Sequence, residues 1–151
     1  MTTWRSPDRS YRRGVIAPAG YSGTPLPKKL AIKEGHVLAL IEAPPEAAGL
    51  IAPLPDGVDV RHDLRRRPDV VVAFFVQRSR LQRRLAGLAR SIYPAGGLWI
   101  AWPKRASGVA TDITEDVVRE LGLAGGLVDN KVCAISEIWS GLRLVYRLID
   151  R

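Results

Sequence analysis

The sequence predicts an α/β domain with a Rossmann-like, mostly parallel sheet, helices on both faces and a C-terminal antiparallel hairpin. Three observations carry that prediction. His36–Ile41, Asp69–Val76 and Leu98–Trp102 are continuous apolar runs, as expected of strands covered on both faces. The segment between the second and third runs places Leu81, Leu85, Leu88, Ala89 and Ile92 at helical spacing. The last quarter holds two long β-type runs, 127–138 and 142–149, around Trp139-Ser140-Gly141, which reads as a hairpin.

Each element has a local reason. Lys28–Lys33 fits a short helix ending at Gly35, where a C-terminal glycine is favoured. The first strand stops at Glu42-Ala43-Pro44-Pro45, and Val58–Val60 is a short second strand after the Pro55-Asp56-Gly57 turn. Ser79 is placed to cap the arginine-rich helix that follows the third strand. Pro94-Ala95-Gly96-Gly97 turns the chain into the next strand. Asp112, with Glu115 three residues on, reads as a capping box for a helix that turns Val117, Val118 and Leu121 inward and ends near Gly122. Alternating strands and helices imply right-handed crossovers. With the closing hairpin, the architecture resembles a shortened class I methyltransferase fold.

At 151 residues the chain fits one domain, divided here into a basic arm over 1–17 and a single Rossmann-like domain over 18–151. The N-terminal residues have no apolar signal core, and no apolar run is long enough to span a bilayer. A lone Cys133 rules out an internal disulfide. These features predict a cytoplasmic protein without membrane association. The net charge of +8 is clustered: Arg5, Arg9, Arg12 and Arg13, then Arg61 and Arg65–Arg67, then Arg78, Arg80, Arg83, Arg84 and Arg90. Such clusters suit a nucleic acid or another anion, and equally a solvated surface.

In open sheets, ligands bind beyond the carboxyl ends of the strands. A dinucleotide or S-adenosylmethionine site needs a glycine-rich turn in the first such loop, so that the backbone can approach the ligand and the helix amides can meet it. The loop here, Glu42–Glu46, has no glycine and two prolines. No cofactor is therefore expected, and His36, His62 and Cys133 do not make a zinc site. Two segments remain as candidate ligand sites. One comprises Lys104, Ser107, Gly108, Thr111 and Asp112, between a buried strand and a helix N-terminus. There a lysine and hydroxyls can hold an anion, although Ser107-Gly108 can equally just turn the chain and Asp112 just cap. The other comprises Tyr21, Ser22 and Thr24, followed by Lys28 and Lys29.

Three segments carry a resemblance. They are Ala19–Leu26 (AGYSGTPL), Trp102–Lys104 with Ser107–Glu115 (WPK..SGVATDITE), and Lys131–Ala134 with Trp139–Leu142 (KVCA..E.WSGL). They resemble the signatures of a bacterial family known as a domain of unknown function. The resemblance covers about residues 17 to 148 and implies a Rossmann-like domain, with no activity attached.

These features together favour a non-catalytic or regulatory binding module for an anionic small molecule or a protein partner. One alternative is a nucleic-acid-associated protein that uses the arginine clusters. The other is a divergent transferase without the glycine-rich loop, using His62, Asp63 or Lys104 in acid–base roles. An exposed hairpin strand also allows a homodimer.

Overall fold

The structure is a computed structural model that describes residues 23–151. The arm over 1–17, together with Tyr21 and Ser22, lies outside the described residues.

Six strands form one sheet in the order β2-β1-β3-β4-β6-β5. They are β1 (Val37–Ile41), β2 (Asp59–Arg61), β3 (Val70–Phe74), β4 (Gly97–Pro103), β5 (Val128–Ala134) and β6 (Trp139–Val145). The first four run parallel, and β6 runs antiparallel to both β4 and β5. The predicted sheet and its antiparallel ending are thus both present. Apolar burial explains the arrangement. Every residue of β3 and β4 is buried, which only a central strand with both faces covered allows.

One face packs on α3 (Arg78–Ile92) and α4 (Glu115–Ala124). Leu81, Leu85, Leu88, Ala89 and Ile92 of α3 meet Val71, Ala73, Leu98 and Ile100 there, as the helical spacing predicts. The other face is covered by α1 (Leu26–Lys29), α2 (Ala47–Leu50) and the residues beside them: Leu30, Ile32, Ala47, Ile51, Ile135 and Trp139 pack on Leu38, Val72 and Trp99. Trp99 fixes this layer, because its buried Nε1–H donates to the Leu30 carbonyl at 3.0 Å. Among the described residues no helix is long and apolar enough to cross a membrane.

Several local expectations are corrected. The first helix is α1 at Leu26–Lys29 rather than 28–33, since Ala31 takes φ +62° and breaks it. Ser79 lies inside α3 and does not cap it. The first amide of α3, Arg78 N–H, instead donates to Asp112 Oδ1 at 2.7 Å. Asp112 therefore does not cap α4. That helix is capped by Thr114, whose Oγ1 accepts from Val117 N–H at 3.2 Å, and Glu115 pairs with Arg119 rather than closing a capping box. Nor do Trp139-Ser140-Gly141 form the hairpin tip. They belong to β6, and the turn falls on 135–138, where Ser136 Oγ accepts from Ile138 and Trp139 N–H. Gly141 is needed for packing, because a Cβ there would lie 2.9 Å from Ile135 Cδ1 and 3.2 Å from Trp99 Cε3. The second β-type run ends at Val145, and Leu148 and Ile149 are exposed.

Candidate functional site at the carboxyl ends of the strands

The chain leaves β1 toward β2 on one side and reaches β3 and β4 on the other, so the strand order reverses between β1 and β3. That reversal opens a crevice at the carboxyl ends of the two strands, the usual ligand position in such sheets. Glu42, the residue after β1, stands there with φ +56°, a left-handed conformation uncommon for a residue with a side chain. Two arginines one turn apart on α3 hold its carboxylate. Arg80 Nε and Nη2 donate to Oε1 and Oε2, both at 2.9 Å, and Arg84 Nη1 donates to Oε2 at 3.0 Å. The paired Arg80 guanidinium holds the Glu42 carboxyl below its ordinary range, partly offset by burial, with Arg84 adding to the effect. Beside Glu42 a cavity of about 340 Å³ is lined by Leu40, Ala43, Pro44, Pro45 and His62.

The loop after β4 reaches the same end of the sheet. A 3-10 turn over Arg105–Ser107 closes at Gly108, whose φ of +79° suits glycine. Ser107 Oγ donates to the Lys104 carbonyl at 2.6 Å and accepts from Val109 N–H at 3.2 Å. Thr111 Oγ1 donates to the Val76 carbonyl at 2.5 Å and accepts from Ile113 N–H at 3.1 Å. With Asp112 on Arg78 N–H, the loop is stitched onto the β3–α3 junction. The hydroxyls and carboxylate of this sequence-predicted set are thus engaged in holding the loop, and the half-buried Lys104 stands over the end of β4.

Thr24 lies elsewhere. With Lys28, Lys29, Lys131, Cys133 and Ala134 it lines a cavity of about 510 Å³ between α1 and β5, in which Lys104 takes no part. Lys131 Nζ donates to the Lys29 carbonyl at 3.1 Å. Burial pushes the Cys133 thiol up, against the opposing charges of Lys29 and Lys131.

The sequence places Glu42 at the strand stop and in the first crevice loop, but the Glu42–Arg80–Arg84 cluster is not among the expected sites. The available signal was a carboxylate in the first crevice loop together with two arginines spaced i, i+4 on the helix after the third strand.

Comparison with known proteins supports the fold. A SAM-dependent methyltransferase from Aquifex aeolicus superposes with a TM-score of 0.54 at 15% identity, over 78% of this chain and 85% of that one. A protein of the NADB-Rossmann superfamily from Streptococcus agalactiae gives 0.53 at 10% identity, over 82% and 68%. A putative methyltransferase from Thermoplasma acidophilum gives 0.51 at 8% identity, over 78% and 70%. No protein-family model matches the chain and no curated protein matches it, so the resemblance of the three sequence segments rests on those residues alone. At these identities the likeness is one of architecture: the chain has a class I methyltransferase-like fold with a glycine-free first loop.

Proposed function

We propose that the domain binds a phosphate-free nucleoside of the S-adenosylmethionine type at the carboxyl end of β1 and acts as a divergent transferase. The observation that carries this reading is the cavity beside Glu42 and His62 at the point where the strand order reverses. Asp63 follows His62 just beyond β2, near where Rossmann-like domains take ribose hydroxyls on a carboxylate. Its Oδ1 accepts from Arg65 N–H at 3.0 Å and braces the side chain. A dinucleotide does not fit, because Pro44 and Pro45 offer no N–H to a pyrophosphate and the helix after them, α2, has only four residues. S-Adenosylmethionine carries no phosphate, so the missing N–H donors of Pro44 and Pro45 count less against it, while the glycine-free turn departs from the usual site and makes the transferase a divergent one. When bound it supplies an activated methyl group; Glu42, His62 and Asp63 are the side chains that would orient it.

A second reading, a non-catalytic binding module, is favoured by the arginine contacts that occupy both carboxylate oxygens of Glu42. Calorimetric titration with S-adenosylmethionine, S-adenosylhomocysteine and ATP tests the proposal. Saturable binding of the first two is expected, weakened roughly 10-fold in Asp63→Asn, the loss of one hydrogen bond to a charged group. No binding, or a preference for ATP, would overturn it. Binding with no methyl transfer to any acceptor in a host-cell extract would select the second reading.

A further inference from the structure

The opposite end of the sheet holds an arginine, Arg143, without a partner among the described residues. Arg143 lies on β6 between Leu142 and Leu144, which pack against the α3 and α4 layer, so its side chain is on the α1 face. Its strand neighbours are Trp99 on β4 and Lys131 on β5. The charged ends of Lys131 and Arg143 diverge: Lys131 Nζ donates to the Lys29 carbonyl, while the Arg143 guanidinium lies over Gly97. The Nε of Arg143 is buried and makes no hydrogen bond, and no ion pair reaches Arg143 among the described residues. Burial, with Arg151 adding repulsion, pulls the guanidinium below its ordinary range, the direction expected of a charge lacking a counterion. Gly97 makes room for it, since a Cβ at that position would lie 2.6–2.9 Å from the guanidinium atoms.

Arg143 opens onto a cavity of about 370 Å³, also lined by Lys33, His36, Arg67, Ser91 and Tyr93. That volume falls within the range of small-molecule sites, roughly 300–1,000 Å³. His36 Nδ1 accepts from Lys33 N–H at 3.1 Å, which leaves Nε2 as a donor. One carboxylate, Asp69, lines the cavity, and its Oδ2 is held by Val37 N–H at 2.8 Å. A half-buried guanidinium, a lysine, a second arginine and an imidazole N–H thus line one concavity, against the single carboxylate of Asp69 among the described lining residues.

We infer that this cavity, at the amino ends of β3 and β4, is a binding site for a small oxyanion-bearing molecule, a phosphomonoester or carboxylate, with Arg143 as its central ligand. The guanidinium fork matches either oxyanion. Lys33 and Arg67 set the charge, and Tyr93 gives an apolar wall for the remainder of the ligand. The inference is independent of the nucleoside reading, which concerns the other end of the sheet.

The test is NMR titration of the full chain, following the His36 ring and arginine Nε signals. Inorganic phosphate and succinate are the probes, with sodium chloride matched for ionic strength. Saturable shifts with phosphate or succinate, absent with chloride, are expected; the stronger of the two probes identifies the oxyanion. Arg143→Met should abolish them, and Arg67→Gln, at an exposed position, should weaken binding several-fold. Arg143→Met should also raise the midpoint of thermal unfolding of the free protein, because it removes an unpaired buried charge. A purely structural arginine would lower that midpoint. Shifts matched by chloride, or unchanged by either substitution, would overturn the inference. Displacement of bound phosphate by a short single-stranded DNA at the same ionic strength would assign the site to a nucleic-acid backbone and overturn the small-molecule reading.

Discussion

At the level of single residues, Glu42 ties the first crevice loop to α3. Its backbone is left-handed, and its carboxylate is shared by Arg80 and Arg84. Three hydrogen bonds to charged groups offset the conformational strain and tie the first crevice loop to the start of α3. They also hold the Glu42 carboxyl below the ordinary carboxylate range. A depressed folded-state pKa means stability that is present above the unfolded-state value and lost as pH falls through the folded-state value. Glu42→Gln should therefore lower stability at neutral pH by about 1 kcal/mol or less, since the arginines are partly solvated. The gap from the unsubstituted protein should close as the pH is taken below the ordinary carboxylate range. Urea denaturation between neutral and acid pH reads this directly. A gap that stays constant, or widens on acidification, would contradict the pairing as the source of the shift.

At the level of elements, α3 is capped across the fold rather than along the chain. Asp112, 34 residues beyond Arg78, accepts the first amide of α3, while Thr114 caps α4. Asp112→Ala should cost about 1 kcal/mol, the usual value for an N-terminal cap. Ser79→Ala should stay within about 0.5 kcal/mol, because Ser79 sits inside α3 and caps nothing. Denaturant midpoints of the two variants separate the alternatives, and equal losses would reject the crossed cap. The same case shows what the sequence made legible. The apolar stripe of α3 and the unbroken runs of β1, β3 and β4 announce themselves, because burial is periodic along the chain. The cap of α3 depends on a partner distant in sequence. Asp112-x-x-Glu115 therefore had the spacing of a local capping box while its carboxylate served another helix. Trp139-Ser140-Gly141 looked like a turn for the same reason: the glycine is required by Ile135 and Trp99, side chains that sequence spacing does not bring together. Of the site, the crevice loops were legible from strand ends alone. The Glu42–Arg80–Arg84 contact, and the pairing of Lys131 with Arg143 across β5 and β6, needed the topology.

Across the whole molecule the same topology distributes the charge. Part of the net +8 is locally neutralised: Asp59 is shared by Arg61 and Arg66, Glu42 by Arg80 and Arg84, and Arg119 meets Glu115, Asp116 and Asp129. Arg65, Arg83 and Arg90 have no ion-pair partner among the described residues, and they lie on two separate elements, the β2–β3 connection and α3. These scattered guanidinium groups give a diffuse positive field, which attracts a polyanion without fixing its path. Binding to single-stranded DNA should therefore be weak, independent of sequence, and released by salt with a slope of about −0.7 per phosphate contacted. With three or four contacts, the affinity should fall by roughly one to two orders of magnitude between about 50 and 200 mM salt. Fluorescence anisotropy with two oligonucleotides of different sequence, each titrated across that range, makes the measurement. A shallow slope, or tight and sequence-dependent binding retained at the upper salt concentration, would show an organised nucleic-acid interface where the structure displays only a charged surface.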